Sequence, residues 1–229
     1  MIGIFDSGIG GLSSLREYTR LVPEESIIYL ADRQNAPYGT KDRDTVIRLT
    51  KKNIRTLKDM GAERILIACC TASSVYGELT LEEQSIAFPI IPPTVRTAVG
   101  FGKRIGVIAT RRTVSSHAFM NEISAIDPRK ETVEIAAQEL VEMVEGGARD
   151  GKLCPRHTDL LDSLCRKIKG EMPDCLILGC THFSYLEGEI ASRIAPIPTV
   201  NSARVGAVAM AETRGQSQKD RQRIITFIG

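Results

Sequence analysis

The stretch RILIACCTASS, Arg64 to Ser74, joins a short apolar run (Ile65, Leu66, Ile67, Ala68) to two adjacent cysteines and then to Thr71, Ala72, Ser73 and Ser74. An apolar run of this length reads as a strand buried on both faces, and the small hydroxyl residues after it can cap and open a helix. A thiol between strand and helix stands at the carboxyl end of a parallel strand, the edge at which open α/β sheets bind their ligands. A helix N-terminus also lowers a thiol pKa through its partial positive charge. Cys69 or Cys70 is therefore a candidate for chemistry. Unpaired cysteine is equally a common core residue that packs as a small hydrophobe, so the rest of the chain has to decide.

The composition is that of an ordinary globular protein: 229 residues, 42% apolar and 25% charged. That length allows one large or two small domains. Thirty basic against 28 acidic residues leave a net charge of +2, which argues against a nucleic-acid partner. The basic runs KDRDTVIRLTKKNIR and GQSQKDRQR are interleaved with acidic or polar residues and read as solvated faces or loops. No apolar run approaches the roughly 18 to 20 residues of a membrane span. The N-terminal MIGIFDSGIGG has no basic segment and carries an acid at position 6, unlike a signal peptide, so a cytoplasmic location is expected. The six cysteines (69, 70, 154, 165, 175 and 180) then read as free thiols. Cys154, His157, Cys165 and Cys175 fit no common zinc spacing, and Cys165 and Cys175 fall on apolar stretches that explain them as core.

In chain order, MIGIF reads as a first strand, DSGIGG as a glycine-rich turn and Leu12 to Leu21 as a helix. The turn has neither G-x-G-x-x-G nor a Walker lysine, and Asp6 stands where a phosphate would approach. A carboxylate there suits an ammonium group or a neighbouring proton better. SIIYLA (26–31) is a second strand ended by Asp32, and the turn Pro37, Tyr38, Gly39 follows toward the same sheet edge. An amphipathic helix from about Asp42 to Met60 buries Val46, Ile47, Leu49, Ile54, Leu57 and Met60. After Ser74 a helix to about Gln84 is expected, then a short strand in FPIIPP broken by Pro92 and Pro93, where the chain crosses into a second domain. Strands at 105–108, in TVEIA, in DCLILG and in IPTV alternate with helices from about Thr113, in QELVEMVEGG, over 157–170, after GCTHF and in NSARVGAVAMAE; RIITFIG is a last strand.

An internal echo organises these elements. IGIFDS (2–7) is similar to IGVIAT (105–110) at an offset of 103, and LIACCT (66–71) to ILGCTH (177–182) at an offset of 111. Two echoes in the same order point to duplicated halves, each with a cysteine ending a strand: Cys69 and Cys180. If equivalent edges border one cleft, a thiol projects from each wall. A molecule held between them can lose a proton to one side and regain it from the other, which is what inversion of a stereocentre requires.

The motifs IFDSGIGGL, PYGTK, ACxTAS and GCTHF, in this order and spacing, resemble the cofactor-independent aspartate/glutamate racemase superfamily, most closely its glutamate racemase branch. The resemblance implies two similar α/β domains with mostly parallel sheets related by pseudo-twofold symmetry and an active site in the cleft between them. Residues 1–92 with 202–229 would form the first domain and 93–201 the second. It implies Cys69 and Cys180 as the catalytic thiols, Asp6 assisting the first and His182 the second. Ser7, Tyr38, Gly39, Thr71 and Thr181 would hold the substrate, with Cys70 where the superfamily normally has a substrate-contacting asparagine. Asp32 and Glu145 resemble assisting acids. Neither pyridoxal phosphate nor metal is implied, the partner is a small acidic amino acid, and a homodimer is possible in such a family.

The activity expected on these grounds is interconversion of L- and D-glutamate, supplying D-glutamate for peptidoglycan. The alternatives are an aspartate or other amino-acid racemase of the same superfamily, or a non-catalytic binding or regulatory relative. A thiol redox or metal protein would follow if Cys69 and Cys70 acted as a vicinal pair.

Overall fold

Short apolar runs buried on both faces satisfy their backbone groups only by pairing with like strands, and this chain forms two parallel sheets in that way. A computed structural model describes residues 1–148, 152–213 and 224–229, so the GQSQKDRQR run lies outside the described residues. The first sheet contains β1 (Ile2–Asp6), β2 (Ile27–Ala31), β3 (Arg64–Ile67), β4 (Ala87–Pro89) and, from the end of the chain, β9 (Ile225–Ile228). The second contains β5 (Arg104–Ala109), β6 (Glu131–Ala136), β7 (Cys175–Gly179) and β8 (Thr199–Asn201). All their pairings are parallel.

The strand order is β4-β3-β1-β2-β9 in the first sheet and β6-β5-β7-β8 in the second. Read outward from the central strand, β4-β3-β1-β2 and β8-β7-β5-β6 are the same arrangement, so the echo heard in the sequence is a duplicated topology. In each half the chain leaves the central strand on one side and returns on the other. The reversal opens a crevice beyond the carboxyl ends of β1 and β3, and of β5 and β7, where such sheets take their ligands. Asp6 ends β1, Cys69 follows β3, Thr110 follows β5 and Cys180 follows β7. The four residues are thus delivered to the two switch points by topology.

Three local readings are corrected. The helix expected from Ser74 to Gln84 is broken into one α-turn (Cys70–Ser73), a 3-10 turn (Tyr76–Glu78) and a helix (Leu81–Ile86) restarted by a capping box of Thr80 and Glu83. The hydroxyl and carboxylate there satisfy backbone N–H groups that a continuous helix would have used. Pro92 and Pro93 do not break a strand; they sit in the first turn of the helix Ile91–Ala98, where a missing N–H costs nothing. The helix read from about Thr113 is split as well, into Arg111–Ser115 and Ala118–Ile126. The long amphipathic helix holds as Arg43–Asp59 with Asp42 as its cap, but Met60 is exposed and Asn53 joins the buried stripe.

The helix Ser202–Glu212, although it follows β8, packs Ala207 and Met210 with Ile2, Ile4, Leu15 and Tyr18 of the first half. Asn201 caps it, accepting from the N–H groups of Ala203 and Arg204. Gly206 lets this helix approach Ile90: a Cβ there would stand 2.3 Å from Ile90 Cγ1. Alanine improves helix propensity by about 1 kcal/mol, whereas overpacking a buried contact costs about 1 to 3 kcal/mol, so the clash should win. Gly206→Ala is expected to lower the urea midpoint; a midpoint at or above that of the parent protein would contradict this packing.

Candidate active site

Asp6 is fully buried and lies at the seam between the two halves. Its Oδ1 accepts from the Gly8 N–H at 2.9 Å, and its Oδ2 accepts from the Thr181 hydroxyl of the second half at 3.0 Å. Burial raises its pKa, opposed by the charge of His182 and by these two donors. The DSGIGG turn needs its glycines because Gly10 is pressed against the opposite half and Gly11 against the Asp6 side chain. A Cβ on Gly10 would lie 2.4 Å from Thr181 Oγ1 and 2.6 Å from His182 Nδ1, and one on Gly11 would lie 2.3 Å from Asp6 Cβ.

On one wall, Cys69 Sγ lies 3.5 Å from Ser7 Oγ. Burial and the nearby Asp6 push this thiol up to about 11, despite the neighbouring Ser7 hydroxyl and Ala72 N–H, which favour the thiolate. A thiolate-favouring helix start was expected, but the helix after Cys69 is a single turn and its effect is outweighed by desolvation. On the other wall, Cys180 Sγ lies 3.6 Å from His182 Nδ1, and the opposite ring nitrogen, Nε2, lies 2.7 Å from Glu145 Oε1. When Nε2–H is donated to that carboxylate, Nδ1 faces the thiol as an acceptor. Hydrogen bonding to His182 is the main cause lowering the Glu145 pKa. Cys180 is raised by burial and by the neighbouring Cys70, with further contributions from Cys69 and Asp6, so the two thiols and the carboxylate share one electrostatic environment.

The remaining expected residues divide. Thr71 Oγ1 lies 2.9 Å from Thr110 Oγ1 and 3.1 Å from Thr113 Oγ1, and those two lie 2.9 Å apart, a buried triangle of hydroxyls spanning the halves. Gly39 abuts it: a Cβ there would meet Thr110 Cβ at 2.5 Å and Gln138 Oε1 at 2.4 Å. Tyr38 is buried and its hydroxyl donates to Asp32 Oδ2 at 2.5 Å while accepting from Asn53 at 2.9 Å. Asp32 thus braces the Tyr38–Gly39 turn and has no contact with either thiol among those of the described residues. Cys70 is buried in an apolar cluster with Ile90, Val95, Val107 and Ile177. Thr110, Thr113 and Gln138 were not singled out from the sequence, although the IGVIAT echo pointed at Thr110. Cys154 is exposed at a helix start, its N–H 3.5 Å from His157 Nδ1, and Cys165 and Cys175 are core.

These surroundings make a prediction about the free thiols. A protonated thiol alkylates slowly, so in the ligand-free protein Cys69 should resist iodoacetamide at pH 7, while exposed Cys154 reacts. Cys69 labelling should climb as pH rises toward about 11. Peptide-resolved mass spectrometry reads both sites; equal labelling of Cys69 and Cys154 at pH 7 would contradict the burial and charge described.

Residues 7–210 match the model of the Asp/Glu/Hydantoin racemase family. A glutamate racemase from Gloeobacter violaceus is 36% identical over 215 residues, covering 91% of this chain and 78% of that protein. The structure of a glutamate racemase from Francisella tularensis in complex with D-glutamate superposes with a TM-score of 0.87 at 26% identity, covering 99% of this chain and 86% of that one. A glutamate racemase isoform from Bacillus anthracis gives 0.86 at 29% identity, covering 93% and 80%. The chain belongs to the Asp/Glu/Hydantoin racemase family and is an isomerase, an amino-acid racemase.

Proposed function

We propose that this racemase interconverts L- and D-glutamate by a two-base exchange between Cys69 and Cys180, with no added cofactor. The observation that carries the reading is the pair of buried thiols, each at the switch point of its own sheet and each beside its own polar partner: Ser7 and Asp6 for Cys69, His182 with Glu145 for Cys180. The names of the relatives, and the D-glutamate in the Francisella complex, support glutamate as substrate.

The chemistry follows from charge. A substrate ammonium beside Asp6 offsets the negative charge that raises the Cys69 pKa, so the Cys69 proton passes to water on substrate entry and leaves the thiolate. That thiolate removes the Cα proton from one face while Cys180, as thiol, protonates the other face; His182 accepts or returns the Cys180 proton, and Glu145 holds the imidazole in register. In the reverse direction the roles exchange. Thr71, Thr181 and the N–H groups opening the turns after each cysteine offset charge developing on the α-carboxylate. Ser7, Tyr38, Gly39 and Cys70 complete the substrate surround, Tyr38 through the turn it anchors. Aspartate is the second reading, favoured by Cys70, because a thiol lacks the two amide donors that the family resemblance puts at that position.

The same proposal includes a cytoplasmic location and a supply of D-glutamate for peptidoglycan. Among the described residues, no helix is long and apolar enough to cross a membrane. It also assigns 1–92 with 202–229 to one domain and 93–201 to the other, a division supported by the return of Ser202–Glu212 to the first-half core. A homodimer is a further part of it, resting on family resemblance.

Each enantiomer of glutamate and aspartate, incubated in D2O without cofactor, tests the reading through optical rotation. Glutamate should racemise fastest, and Cys69→Ala or Cys180→Ala should each cut the rate by at least about a hundredfold. A variant of either cysteine that racemises at the parental rate would overturn the two-thiol scheme, and faster turnover of aspartate would replace glutamate as the substrate.

A further inference from the structure

Gln138 is fully buried, and neither its Oε1 nor its Nε2 has a hydrogen-bond partner among the described residues. Leaving a carboxamide in that state is expensive, and such groups are rare in folded proteins. An apolar residue of the same size would cost less, so the amide calls for a partner that the described residues do not supply.

Its position indicates which partner. Gln138 opens the helix Gln138–Glu145, and Glu145, seven residues on, closes it. Seven residues are close to two full turns, so the two side chains share a face and are separated by about 10 Å along the axis. Glu145 reaches the His182 imidazole that faces Cys180. Gln138 therefore stands on the same wall, at the opposite end of this helix from the carboxylate that braces His182. There it packs against Gly39, which also abuts Thr110 of the hydroxyl triangle: a Cβ on Gly39 would lie 2.4 Å from Gln138 Oε1 and 2.5 Å from Thr110 Cβ. Beside the carboxamide this end of the site presents the neutral hydroxyls of Thr110 and Thr113, which Thr71 ties to the turn after Cys69.

We infer that the Gln138 carboxamide recognises the side-chain carboxylate of the substrate, donating from Nε2 to it at the end of the cleft remote from the exchanging thiols. The inference rests on the acidic amino-acid reading above. An amino acid with Cα between the thiols extends its side chain away from them, and a second carboxylate needs donors at that distance. The amide has no role in proton transfer. It sets the length and charge of the side chain accepted, and it is a specificity residue that no motif of the sequence marks.

Gln138→Met keeps the volume and removes the hydrogen-bonding groups. Three readings on the full chain are compared with the parent: melting temperature without ligand, the rise in melting temperature with D-glutamate, and kcat and KM for both glutamate enantiomers. The variant should melt at or above the parent temperature, because two unpartnered polar atoms are gone. KM should rise by about tenfold or more while kcat stays within about threefold, the signature of binding lost equally in ground and transition states. An unchanged KM would overturn the inference. So would a ligand-free melting temperature several degrees below the parent, since that would reveal a structural partner for the amide. If the parent protein turns over neither glutamate nor aspartate, yet D-glutamate raises its melting temperature and fails to raise that of the variant, the racemase reading of the substrate fails and the Gln138 subsite stands.

Discussion

A fully buried carboxylate at the seam of two sheets is the constraint on which the rest of the structure depends. Asp6 cannot shed its charge cost to water, so it is met from both sides: by a backbone N–H of its own glycine turn and by the hydroxyl of Thr181 from the opposite half. The Thr181 bond crosses the seam, and with the Thr71–Thr110–Thr113 hydroxyls it ties the halves in the approach that decides which side chains share the cleft. Gly10 follows from it, because a Cβ there would occupy space already taken by Thr181 and His182, while Gly11 leaves room for the buried Asp6 side chain itself. The carboxylate also sets the chemistry of its neighbourhood. It adds to the burial that raises Cys69, and in doing so prepares a site whose charge is balanced only when a cation enters.

The duplicated topology explains why two thiols can serve one substrate. In each sheet the crevice opens between the central strand and the neighbour on the return side, and a cysteine stands within two residues of the end of that neighbour in both halves. The halves then diverge in what supports the thiol. Cys69 has a serine hydroxyl and a nearby carboxylate; Cys180 has an imidazole braced by Glu145. Unequal partners suit unequal tasks at any instant, since one sulfur must be thiolate while the other is thiol.

Most of this architecture was legible in the sequence, because short apolar strands followed by glycine, cysteine or threonine turns leave a strong pattern. The echo between LIACCT and ILGCTH located both thiols, and the amphipathic stripe of Arg43–Asp59 was readable from its period. What was missed depends on tertiary approach. Nothing local distinguishes Gln138 from a surface glutamine; its burial arises because the second-half helix meets Gly39 of the first half. Asn53 reads as a polar interruption of an apolar stripe, and only the fold brings it to the Tyr38 hydroxyl. Pro92 and Pro93 read as breakers, yet proline ends a strand and starts a helix by the same loss of an N–H. The expected thiolate-favouring helix starts failed for a quantitative reason: one turn of helix does not offset full desolvation of a thiol.

The central claim is that the proton leaving Cα and the proton arriving there belong to different sulfurs. The most direct measurement is the isotopic content of product formed from protiated L-glutamate in D2O during the first few per cent of turnover. Two thiols predict that D-glutamate carries deuterium at Cα from its first appearance, while unreacted L-glutamate keeps its protium. Protium retained at Cα of the D-glutamate would mean that one group moves the same proton across both faces, and would contradict the account.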